Sequence, residues 1–69
     1  MTTFEKMEAI IVRITDNASP SDLISLREEL YYHTKQSFFS LAKHLALCSE
    51  KEYNEAKTFW GDDFWYAGD

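Results

Sequence analysis

Apolar positions recur every three or four residues through most of this chain, and an alternating strand pattern is missing. Phe4, Met7, Ile10, Ile11 and Ile14 form one stripe, with Glu5, Glu8 and Arg13 largely outside it; such a stripe marks an amphipathic helix. Thr2-x-x-Glu5 supplies a capping box at its start, and Asp16-Asn17-Ala18-Ser19-Pro20 ends the pattern. The spacing predicts a first helix over about 3–16.

Ser19-Pro20-Ser21-Asp22 is a second start signal: a hydroxyl to cap, a proline suited to the first helical position and an acid in the first turn. Beyond Pro20 neither Gly nor Pro appears until Gly61. At 100° per residue, Leu23, Leu26, Leu30, Thr34, Phe38, Leu41, Leu45 and Cys48 share one face. The pattern predicts a long central helix from about 20 to 47, about 40 Å in length. The polar stretch His33-Thr34-Lys35-Gln36-Ser37 is its weak point, where a kink or break would fall. Ser49-Glu50-Lys51-Glu52 is another capping box and predicts a tight turn near Cys48, then a third helix over about 50–60. Its apolar positions are Tyr53, Ala56, Phe59 and Trp60, and Gly61 is a natural residue just past its end. Asp62 can then cap one more turn, Asp63 to Tyr66. The expected architecture is a small all-α, three-helix domain over 1–61, followed by an acidic aromatic turn or tail over 62–69.

Two groups of rings exceed what this frame needs. Tyr32 and Phe39 project roughly opposite the main stripe of the central helix, with Ala46 and, more peripherally, Ile24 and Ala42 toward the same side. A helix apolar on two sides is sandwiched between neighbours or meets another chain. Tyr31 borders the main stripe, which assigns at least one of the two adjacent tyrosines to the core. Phe-Trp occurs twice near the end of the sequence. Phe59 and Trp60 continue the third helix stripe and are assigned to the core. Phe64, Trp65 and Tyr66, behind Asp62 and Asp63, have no assured place in so small a domain and are candidates for partner contact, since Trp and Tyr are enriched at binding hot spots.

Composition narrows the function classes. A chain of 69 residues with 45% hydrophobic and 16% aromatic content is a folded domain, yet its core alone supplies only about 3–5 kcal/mol. One cysteine, Cys48, excludes an internal disulfide. Self-association or binding to another macromolecule is therefore expected. The start shows no basic region followed by an apolar run, and no stretch approaches the ~20 apolar residues of a membrane span; a cytoplasmic setting is expected. Of the net charge of −5, residues 49–69 carry six acids against Lys51 and Lys57, a net of −4. That balance disfavours direct nucleic-acid binding and favours a basic protein surface.

Catalytic chemistry finds little footing. His44 and Cys48 stand four apart, but two ligands do not make a metal site, and Cys48 as a nucleophile lacks an orienting group. Glu28-Glu29 and Asp62-Asp63 are adjacent pairs; neighbours on a helix diverge by 100°, so Glu28 and Glu29 form no acid–base dyad. No Gly-rich phosphate loop is present. The expectation is a protein that is no enzyme and uses no cofactor, metal or small-molecule substrate. Glu28-Glu29 precedes Tyr31-Tyr32; some bacterial immunity proteins inhibit basic nucleases with acidic surfaces carrying adjacent tyrosines, but the likeness here is the Tyr31-Tyr32 dipeptide without the surrounding family pattern, and no family is assigned.

The sequence thus points to a small protein-binding regulator or inhibitor, acting stoichiometrically on a basic or apolar protein surface through Tyr32, Phe39, Asp62, Asp63, Phe64, Trp65 and Tyr66. A structural homodimer joined through the aromatic faces is the alternative. An acidic nucleic-acid mimic or immunity-type inhibitor is the third reading. Compact acidic proteins of this kind suit a bacterial or phage setting.

Overall fold

In the computed structural model, which describes residues 1–66, α1 (Thr3–Asn17) starts at the capping box expected of it. The Thr2 hydroxyl accepts from the Glu5 amide at 3.2 Å, and the Glu5 carboxylate accepts from the Thr2 amide at 3.1 Å. That contact holds the Glu5 carboxyl below its ordinary pKa. α2 (Pro20–Tyr32) is capped by Ser19, with Pro20 in its first turn.

The long central helix is two helices. The chain breaks at His33, and α3 (Lys35–His44) begins anew with Thr34 as its cap. The Thr34 hydroxyl accepts from the Ser37 amide at 2.9 Å and donates to the Ser37 hydroxyl at 3.0 Å. Local polar chemistry thereby replaces a turn of helix at the polar stretch, satisfying an amide that a new helix start leaves orphaned. The break also frees Tyr32 and Phe39 from the common phase that one helix imposes. Phe38, Phe39 and Ala42 are all buried, while Tyr32 is exposed.

α3 ends earlier than the stripe suggests. The Leu47 amide donates to the Ala42 carbonyl at 2.8 Å and the Ala46 amide to the Lys43 carbonyl at 3.1 Å, the paired bonds of a Schellman termination. Ala46, with φ 61°, takes the left-handed position that glycine usually fills. α4 (Glu50–Trp60) follows with the expected Ser49/Glu52 capping box. Gly61, at φ 58°, then turns the chain into a short 3-10 turn, Gly61–Phe64.

Every regular element among the described residues is helical, and the molecule is a small helical bundle. α3 lies at its centre, packed on α2, α4 and the 3-10 turn. Met7, Ile10 and Ile14 of α1, Leu26 of α2, Phe38, Phe39 and Ala42 of α3, and Cys48, Ala56 and Phe64 form the core. Arg13 clamps α1 to α4: its guanidinium donates to both Glu52 oxygens at 2.6 and 2.7 Å and to the Leu47 carbonyl at 3.0 Å. Lys6 pairs with Glu55 across the same two helices, and the Gln36 amide donates to the Tyr53 hydroxyl at 3.2 Å between α3 and α4. Because Phe64 belongs to the core, residues 61–66 pack as part of the helical domain rather than as a tail beside it. The last three positions of the expected tail, 67–69, lie outside the described residues.

Candidate interaction surface

The 3-10 turn is built around Phe64. Its ring lies edge-on to Tyr53 of α4 with centroids 5.4 Å apart, and 6.0 Å from Phe39 of α3. Phe39 in turn meets Phe38 at 5.1 Å and Trp60 at 5.7 Å, and Trp60 meets Phe59 at 5.1 Å. Trp65 closes the series, edge-on to Phe64 at 5.3 Å. Seven of the eleven aromatic residues thus form one connected set running from the core to the surface. Four of the six pairs are edge-on, and such pairs add about 0.5–1.5 kcal/mol each beyond area burial.

This geometry divides the expected contact residues. Phe39 and Phe64 have no exposed surface and are core residues, so neither reaches a partner in this fold. The sequence marks them as apolar with no internal neighbour; the break at His33 and the return of the turn onto α3 supply those neighbours. Trp65 is 50% exposed and Tyr66 65% exposed, beside exposed Asp62 and Asp63 on the same turn. Lys57 stands over the Trp65 ring, 5.8 Å from its centroid. Tyr32, 76% exposed, stands apart on the end of α2. Tyr31 is exposed as well, so neither tyrosine of the pair is core.

The electrostatics are mostly structural. Hydrogen bonds from Arg13 hold the Glu52 carboxyl at about 2, with the Ser49 amide and hydroxyl adding to the effect. Glu50 pairs with Lys43 at 3.1 Å, so Glu50, Glu52 and Glu55 all have basic partners. Burial pushes the Cys48 thiol up to about 11, and it donates to the Ser49 carbonyl at 3.4 Å. α3 stops at His44, so His44 and Cys48 do not share a helix. Among the described residues there is no cluster of three or more His, Cys, Asp or Glu able to hold a metal ion, and no helix is long and apolar enough to cross a membrane.

Two features escape the sequence reading. Ile24 and Tyr31 are exposed seven residues apart on the outer side of α2; their spacing carries the signal, obscured by treating the central helix as sandwiched. An open groove of about 730 Å³ lies between α1 and α4, lined by Lys6, Met7, Asn54, Glu55, Thr58 and Phe59 among others. It arises where two helices distant in sequence meet, and no local pattern announces it. The chain is a small all-α domain; comparison with protein-family models, with curated proteins and with solved structures gives no match.

Proposed function

We propose that this chain is a small protein-binding regulator or inhibitor, acting stoichiometrically through Trp65 and Tyr66 with Asp62 and Asp63 as an acidic rim. The observation that carries this reading is the half-exposed Trp65 ring held edge-on against the buried Phe64 ring. A ring fixed by its neighbour in the core loses little freedom on binding, and a pre-organised aromatic anchor retains more of its contact energy as affinity. The carboxylates beside it, which take part in no ion pair among the described residues, suit a basic surface around an apolar pocket and speed encounter with it. Tyr32, apart from the turn at the end of α2, is a second candidate contact. Nucleic-acid mimicry has weaker support, because Glu50, Glu52 and Glu55 are drawn into ion pairs rather than arrayed as free charges.

The test begins with capture of partners by the full chain and proceeds to affinity measurement with point variants. Trp65→Ala is expected to weaken binding by about 1–3 kcal/mol, and Asp62→Lys to slow association in a salt-dependent way. Circular dichroism should show both variants folded. Unchanged affinity in the Trp65→Ala/Asp62→Lys double variant would remove the turn from the interface. Truncation after Trp60 is no substitute, since it also removes Phe64 from the core.

A further inference from the structure

We infer that the outer face of α2 pairs with the same face of a second copy of this chain, antiparallel about a two-fold axis passing between residues 27 and 28. This face is separate from the Trp65 turn, and the inference does not rest on the function proposed above. Taking buried Leu26 as the reference and ~100° per residue, Arg27, Tyr31, Ile24 and Glu28 fall at about 100°, 140°, 160° and 200°. All four are exposed, Ile24 by 61% and Tyr31 by 65%. They form a seam spaced i, i+3, i+4, i+7, the spacing by which one helix packs along another.

The order of residues along that seam is self-complementary. A two-fold between residues 27 and 28 sets Ile24 of one copy against Tyr31 of the other, twice. It also sets Arg27 of one copy against Glu28 of the other, twice. A parallel two-fold would place Arg27 beside Arg27 and Glu28 beside Glu28, which like-charge repulsion opposes. An isologous interface needs a patch that matches itself under rotation, and here both the apolar and the charged positions do. Lys6, Arg13 and Lys43 are satisfied within the chain, whereas neither Arg27 nor Glu28 takes part in an ion pair among the described residues. One pair of 13-residue helices buries less than the ~1,200 Å² of a stable interface. The dimer is therefore transient and sensitive to dilution and salt.

Sedimentation velocity on the full chain across a dilution series tests this. The wild-type chain is expected to shift from dimer to monomer on dilution. Arg27→Glu alone and Glu28→Arg alone each place like charges across the axis and are expected to weaken self-association about ten-fold or more. The two single variants mixed in equal amounts should form a heterodimer, because both cross-axis pairs then have opposite signs. The Arg27→Glu/Glu28→Arg double variant should recover self-association, Ile24→Glu should abolish it, and Trp65→Ala should leave it unchanged. All these positions are exposed or half-exposed, and circular dichroism monitors the fold of each variant. A wild-type chain that stays monomeric to millimolar concentration overturns the inference, as does a dimer undiminished by Arg27→Glu and Ile24→Glu.

Discussion

Ala46 sits at φ 61° with its side chain exposed, so the Schellman end of α3 carries the steric cost of a Cβ in the left-handed region without any packing in return. Ala46→Gly is expected to raise stability by about 0.5–1 kcal/mol, the relief of that cost less the extra freedom glycine gives the unfolded chain. A higher urea midpoint at unchanged slope checks it. Glu52 makes a prediction in pH. Its folded pKa of about 2 lies below the ordinary 4.5, so the folded state binds this proton less readily than the unfolded chain. The stabilisation is in full force above about pH 4.5 and is lost as pH falls toward about 2. Half-exposed Arg13 is partly screened, which brings the effect to roughly 1–2 kcal/mol. Denaturation midpoints measured down through that window should fall for the wild-type chain and fall less for Arg13→Ala.

Helix boundaries were legible where several local signals coincided. At α1 and α4 a capping box, an apolar stripe and a terminating sequence agree, and the helices lie at or within a residue of their expected ends. The α2–α3 break falls inside the polar stretch marked as the weak point, but that it is a full break was harder to read because Thr34 served two patterns at once. At 100° per residue it fell on the Leu23–Phe38 stripe, and the phase of that stripe continues across a short interruption. Its capping role, aided by Ser37, is read only once the backbone is known to be extended at Thr34. Thr34→Ala is expected to cost about 1 kcal/mol and to fray the first turn of α3. Amide exchange should accelerate at Lys35–Phe38 while α1 stays protected. The same limit governed the contact residues. The sequence showed that Tyr32, Phe39, Phe64, Trp65 and Tyr66 lacked local partners. Which of them found distant ones depended on how α3 and the 3-10 turn met, and that is not a property of any window of sequence.

Across the molecule, one aromatic set links three elements, and its members carry unequal weight. A domain of this size has roughly 3–10 kcal/mol of stability in all. Phe64→Ala removes a fully buried ring, at a cost of about 3–5 kcal/mol. A thermal scan of that variant is therefore expected to show a much lowered or broadened transition. Trp65→Ala, next in sequence but half-exposed, should cost only about 1 kcal/mol for its edge-on pair with Phe64 and lower the transition far less. The contrast between adjacent positions separates the ring that holds the domain together from the ring proposed as a partner contact.

A ribosome delivers the N-terminal side of a chain before its C-terminal side, at about 5–20 residues per second. Phe64 emerges after all four helices, yet it is the ring lodged against Phe39 and Tyr53. Until it arrives, the centre of α3 lacks one wall and Phe39 has water where a neighbour belongs. Completion of the fold thus waits on the turn that also presents Trp65, so a chain displaying that ring in its settled position has, in the same step, closed its core.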